Sequence, residues 1–434
     1  MPKLTALFVL IFVTFSIHAD AREPKPMVGQ KGVYSVKDFG TKGDGKTDDT
    51  AAFQKALDKA GKTGGIVFVP AGAYMIKDRL NVPSRVTLEG VFQAPPALSG
   101  IFKEAGVVDK QVNPDDYRGT LLLTTVDRGT EKGKPFIFLN QDSVVKGLAV
   151  YYPEQDRKNP VPYPWCIGGS GDNCSIIDVL LVNPWQAVDF GSYPCGRHYI
   201  KGLYAQPIKT GIYVDVCLDV GRIQDVHFWP FWDVPLARAF TEKNGTAFVF
   251  GRTDWEYVDS CFCIFFNVGF KFIDSKAGPA NVVISNSGSD TGPIAVLVEK
   301  VQPHAGIAFT NCQFMAGIDI RETNNGPVKF TNCGFWGLPS ATANHAKVLG
   351  GGHVTFNTCH FTTWDKDKTG VPCIYSDGLA LTVSSCDFMD SGKNQIVLGE
   401  NQQNAIVMGN LLRGGIKVEN KSKGKVEMGL NVGD

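Results

Sequence analysis

The sequence predicts an all-β fold, a right-handed parallel β-helix with a short helix capping its N-terminal end. Three observations carry this. Residues 307–335 state one unit twice: Ile-Ala-Phe-Thr-Asn-Cys-Gln-Phe, then Gly-Ile-Asp-Ile, then Val-Lys-Phe-Thr-Asn-Cys-Gly-Phe. Apolar residues alternate along each piece, which is the period of a half-buried strand, and an Asn occupies the bend between pieces. The same bend is read at Gly90, Gly147, Asp178, Gly202, Asp225, Asn267, Asn286, Asn311, Asn332, Thr358, Ser385 and Asn410, and the steps from Asn311 onward are 21, 26, 27 and 25 residues. That spacing lies in the solenoid range. No helical period interrupts the units, and three short strands per repeat fit stacked coils better than a sandwich or barrel. Each residue of such a coil lies about 4.8 Å from its counterpart in the next, so the bend column becomes a hydrogen-bonded ladder.

Taken in order, residues 1–21 hold Lys3, an apolar run over 4–17 and Ala19-Asp20-Ala21, a small-residue cleavage pattern. This reads as a secretory signal, since the run is too short for a membrane span, and the expected location is secreted or periplasmic. A linker over 22–32 leads to one β-helix domain over 33–420, followed by a polar tail over 421–434. The domain opens with a strand at Val33. The run Gly43-Asp-Gly-Lys-Thr-Asp-Asp-Thr supplies a turn and a helix start, with Thr47 or Asp48 as N-cap. A helix over 49–60 then places Ala52, Phe53, Ala56, Leu57 and Ala60 on one face, suited to plugging the open end of the solenoid. Gly64-Gly-Ile-Val-Phe-Val-Pro-Ala-Gly-Ala-Tyr begins the regular coils, and residues 92–118, with Ala-Pro-Pro-Ala and Asn-Pro-Asp-Asp, read as a loop over one face.

The stretch DFGTKGDGKTDDTAAFQKALDKA followed by GGIVFVPAGAY resembles the N-terminal signature of the pectate-lyase-like superfamily. That grouping takes in rhamnogalacturonase and polygalacturonase relatives, β-1,3-glucanases, inulin fructotransferases and phage tailspikes. The resemblance covers about residues 33–90 and implies the β-helix, with Asp44, Asp48 and Asp49 as turn and cap residues. It also implies that the third sheet and its bordering loops carry a polysaccharide groove. The polygalacturonase set of Asn-Thr-Asp, Asp-Asp, Gly-His-Gly and Arg-Ile-Lys has no counterpart at matching positions, so that particular activity is not implied.

With 43 basic and 43 acidic side chains the chain carries no net charge to seek nucleic acid or an anionic membrane. Its 48 glycines and 24 prolines beside 43% hydrophobic residues suit many short strands around one long core. Of eleven cysteines, Cys312, Cys333, Cys359 and Cys386 each follow a bend directly, which predicts a stack of buried thiols. No CxxC or Cys/His spacing suggests a metal site. No cofactor is expected, and a Ca²⁺ enters only under a lyase reading; a homo-oligomer is left open.

Aligned bends also align third strands beginning near Trp165, Ala187, Gly211, Ala247, Gly269, Gly317 and Gln395. With apolar residues inward, the outward column holds Asp189, Tyr213, Val249, Lys271 and Asp319. Between Tyr151 and Tyr257 fall five of the seven tryptophans, two histidines and a cluster of acids. The 42-residue step from Asp225 to Asn267 implies an insertion over about 229–244. Glycoside hydrolysis needs two carboxyl groups flanking the bond, and indoles grip sugar rings by their faces. The candidate catalytic residues are therefore Asp189, Asp215, Asp254, Glu256, His227 and Arg252. Candidate substrate-binding residues are Trp185, Arg197, His198, Tyr213, Trp229, Trp232, Trp255 and Lys271. The expected activity is that of a glycosidase on a polysaccharide or oligosaccharide. A uronate lyase using Lys271, Tyr213, Arg252 or His227, a fructotransferase, and a non-catalytic glycan-binding solenoid are the alternatives.

Overall fold

The computed structural model describes residues 31–97, 118–156, 158–230, 235–338 and 343–433. The signal segment and most of the linker lie outside the described residues, as does Trp232. Among the described residues no helix is long and apolar enough to cross a membrane.

Strands stack in parallel into the expected β-helix. The first and second strands of each coil form one connected sheet of 26 strands, and the third strands form a separate sheet of 13. All seven expected third strands fall in that smaller sheet, among them Trp165–Gly169, Gln186–Phe190, Thr210–Val214, Thr246–Phe250 and Val268–Phe272. Helix α1 (Thr50–Gly61) buries Phe53, Ala56, Leu57 and Ala60 as expected. Its N-cap is Asp49 rather than Thr47 or Asp48, and the Asp49 carboxylate accepts from the Lys42 and Gly43 amides instead of capping the helix.

The bends are left-handed turns, with φ of 54° at Asp178, 49° at Asn286, 57° at Asn311, 53° at Asn332 and 55° at both Thr358 and Ser385. Asn is the side chain best suited to that region, because it tolerates αL and can bond its neighbours. The ladder runs from Asn332 Nδ2 to Asn311 Oδ1 at 2.7 Å and from Asn286 Nδ2 to Asp259 Oδ1 at 2.8 Å. Gly90 is not left-handed, and two further expected bends are displaced. The left-handed residue is Ser260, not Asn267, and Gly409, not Asn410. The step from Asp225 is thus 35 residues, while the inserted segment lies where expected, between the strand ending at Phe228 and the strand beginning at Thr246. It carries a second helix, α2 (Pro235–Asn244).

Inside, aromatic rings stack coil upon coil. Phe330 lies between Phe309 at 5.1 Å and Phe356 at 5.0 Å, nearly parallel to both. All eleven cysteines are buried and unpaired. Cys312, Cys333, Cys359 and Cys386 share one interior column, their thiols bonded to carbonyls of their own and the preceding coil, and the Cys359 amide donates to Cys386 Sγ at 3.4 Å. The expected tail continues the solenoid: Lys425–Gly429 pairs with Asn404–Met408, and Val432 bridges to Leu411. The polarity of that segment reflects an end coil open to solvent, not an absence of strand.

One buried group makes the fold acid-sensitive. His345 is fully buried, with Nε2 donating to the Thr362 carbonyl at 2.7 Å and Nδ1 without a partner. Burial holds its pKa at about 4. Between that value and an unfolded pKa near 6.5 the unfolded chain binds the extra proton, so this residue makes stability fall as pH drops through the window. The expected contribution is on the order of 3 kcal/mol. Urea unfolding at pH 7 and pH 4.5 should show a smaller pH effect in His345→Gln than in the parent, and equal effects would contradict the assignment.

Candidate functional site

The outward ladder of the 13-stranded sheet is in register as expected. Asp189 pairs with Tyr213, Tyr213 with Val249, Val249 with Lys271, Lys271 with Leu297 and Leu297 with Asp319. Helix α2 borders this sheet. Its Phe240 packs on Trp185 at 5.1 Å, and Thr241 Oγ1 donates to the Ile208 carbonyl.

A cleft of about 270 Å³ opens at Asp189, lined also by Glu131, Trp165, Gln186, Ser192 and Tyr193. Asp189 Oδ1 accepts the amides of Gly191 at 3.0 Å and Ser192 at 2.8 Å, which fixes the carboxyl group while its second oxygen takes no protein hydrogen bond. Glu131 is held by Lys209 Nζ at 2.6 Å and by Trp185 Nε1 at 3.2 Å. Trp165 stacks on Tyr213, centroids 6.3 Å apart and planes 22° apart, and Tyr193 stands exposed against the edge of Phe138. Glu131 and Tyr193 are absent from the sequence-based set. Glu131 sits in a polar loop two coils before the Asp189 strand, and only stacking brings it to Asp189.

The other expected groups on this face are engaged. Asp215 Oδ1 accepts from the Arg252 amide at 2.6 Å, the Val216 amide at 2.8 Å and Ser275 Oγ at 2.9 Å, while Oδ2 accepts from Tyr213 at 3.0 Å. A carboxylate so saturated organises the turn and has no oxygen left for a substrate. Burial, followed by the charge of Asp215, pushes the Tyr213 phenol above its usual range. Arg252 pairs with Asp254, which also accepts from Gln302 Nε2 at 2.9 Å, and Lys271 pairs with Glu299 at 2.9 Å.

Several candidates lie elsewhere. Glu256 and His198 are fully buried and bonded to each other, so neither faces a groove. His198 immediately precedes the strand Tyr199–Ala205 and Glu256 opens the strand Glu256–Asp259, so both stand at coil corners outside the third-strand ladder. His227 is on the 26-stranded sheet, in register between Tyr204 and Phe262, and Trp229 stacks over Phe262 beside it. Trp185 is buried, its indole spent on Glu131 and Phe240. Arg197 bridges Asp172 and Asp219 in an exposed turn, and Trp255 projects from another turn with its backbone left-handed.

This architecture is that of the pectate-lyase-like parallel β-helix superfamily. Residues 33–132 match the family model described as rhamnogalacturonase A/epimerase, pectate lyase-like. Alginate lyase 7 of Azotobacter vinelandii is 61% identical over 44 residues, 10% of this chain and 5% of that protein. Exopolygalacturonase clone GBGA483 of Arabidopsis thaliana is 39% identical over 79 residues, 17% of this chain and 18% of that protein. The matched stretch thus spans less than a fifth of either curated relative's length. Among solved structures, the mannuronan C-5 epimerase AlgE6 A-module of Azotobacter vinelandii superposes with a TM-score of 0.55 at 16% identity, over 92% of this chain and 99% of that one. At that identity the likeness is one of fold.

Proposed function

We propose that the protein is an exported glycoside hydrolase that cleaves a polysaccharide or oligosaccharide in the cleft at Asp189. The observation that carries this is a pair of carboxyl groups, Asp189 and Glu131, lining one cleft with an aromatic platform at Trp165. Glycoside hydrolysis requires one carboxyl to protonate the leaving oxygen and a second, ionised, to act as base or nucleophile. Glu131, ion-paired with Lys209 at 2.6 Å, is assigned the second role. Asp189, whose Oδ1 is held by two backbone amides, is assigned the role of acid through Oδ2.

A lyase would need a free base on this face. Tyr213 is pushed further from ionisation, and Lys271 and Arg252 are paired with carboxylates, which favours the hydrolase. The relatives named as an exopolygalacturonase and an alginate lyase support a glycan as substrate.

Incubation with a panel of plant, algal and microbial polysaccharides should release reducing ends without the ultraviolet absorbance of unsaturated sugars. Unsaturated ends, or no product from any glycan, would sink the reading. Stacking on indoles adds roughly 0.5–1.5 kcal/mol beyond burial. Trp165→Ala should accordingly raise KM several-fold on the glycan that is cleaved, and Trp229→Ala, on the other sheet, should leave it unchanged. The reverse pattern would move the binding face.

A further inference from the structure

We propose that His198, Cys217 and Glu256 form a binding site for one divalent metal ion of the zinc class, a staple joining three successive coils. Their donor atoms all lie within 4.8 Å of one another and all three side chains are buried. His198 and Cys217 come from the turns following the third strands Gln186–Phe190 and Thr210–Val214, and Glu256 opens the strand Glu256–Asp259 after the turn that follows the next third strand, Thr246–Phe250. Ligands so far apart in sequence give no local spacing pattern, which is why the sequence suggests no metal site. Helix α2 is inserted between the second and third of these turns, where a cross-link would hold the coils in register.

The detail of the cluster fits an ion better than an ion pair alone. His198 Nε2 is 2.8 Å from Glu256 Oε1, and its other nitrogen, Nδ1, faces the Cys195 carbonyl at 3.0 Å. A ligating imidazole is commonly oriented by such a carbonyl on its second nitrogen. Glu256 Oε2 is sealed from solvent with no hydrogen-bond partner, although a buried carboxylate oxygen left unpaired is costly. Gly221 borders the cluster, and a Cβ there would collide with Oε2 and with His198 Cε1, so the space beside the carboxylate depends on glycine.

Charge balances in the metal-bound state. With M²⁺ bound to a neutral imidazole, a carboxylate and a thiolate the cluster sums to zero, and the protons displaced from the ligands leave to solvent. Tetrahedral coordination places N, O and S donors roughly 3.3–3.5 Å apart, a change in their separations of at most about 1.5 Å, and three protein ligands leave a fourth position open. A thiolate in the set selects zinc-like ions over Ca²⁺ or Mg²⁺.

The site is independent of the glycan cleft, and its test does not use activity. Elemental analysis of the full-length protein, purified without chelator or affinity-tag metal, should find about one zinc per chain. After chelation, Co²⁺ added to the folded protein should produce a thiolate-to-cobalt charge-transfer band, absent in Cys217→Ser and His198→Gln. Parent protein that retains its β-sheet circular dichroism yet holds no stoichiometric metal and gives no cobalt band overturns the proposal. A band that persists in Cys217→Ser overturns it as well.

Discussion

Asp189→Asn is expected to lower kcat on the cleaved glycan by roughly 10²–10⁴-fold, the usual contribution of a positioned acid or base, with little change in Tm. Asn keeps the shape, and its carbonyl oxygen can still accept the Gly191 and Ser192 amides. What it cannot do is deliver a proton from the second position. Asp215→Asn is the informative comparison, because Asp215 directly follows the next third strand and was an equal candidate by sequence. Its carboxylate accepts four hydrogen bonds from the protein, so the amide should cost about 1–3 kcal/mol of stability through a mismatched buried partner. Paired measurements of kcat and thermal unfolding should separate the two. If Asp189→Asn retains near-parental turnover, Asp189 is not the acid.

Phe330→Ala should be among the most destabilising single changes in the chain, at about 3–5 kcal/mol. The ring is fully buried and stacked on both sides, against Phe309 and Phe356, and meets Phe314 and Phe335 edge-on. In a solenoid each coil touches mainly its neighbours, so the cavity cannot be closed by a distant rearrangement. Urea or thermal unfolding would show it, and a loss below about 1 kcal/mol would mean that the coils collapse around the gap.

The repeat was legible because stacking makes each coil obey the same local rules. Asn311 and Asn332 bend as the sequence indicates since αL geometry admits few side chains, and Cys312 to Cys386 share a column because their offset from the bend is constant. Reading failed where a different residue could serve the same turn. Ser260 takes the left-handed position for which Asn267 looked the better candidate, and Gly409 precedes Asn410. The outward column from Asp189 to Asp319 was readable from period two alone. Glu256 and His198 were not, because they stand at coil corners where one strand pattern gives way to the next, and their partnership spans 58 residues of sequence. Glu131 was overlooked for the same reason: its loop carries no strand pattern, and only the coil-to-coil stack brings it beside Asp189.

The most direct measurement is a crystal structure of Asp189→Asn bound to an oligosaccharide of the cleaved glycan. The account predicts a sugar ring stacked on Trp165 with a glycosidic oxygen in hydrogen-bond reach of residue 189 and Glu131 on the other side of the bond. A saccharide seated instead on the 26-stranded sheet around Trp229, with the cleft at Glu131 unfilled, would contradict it.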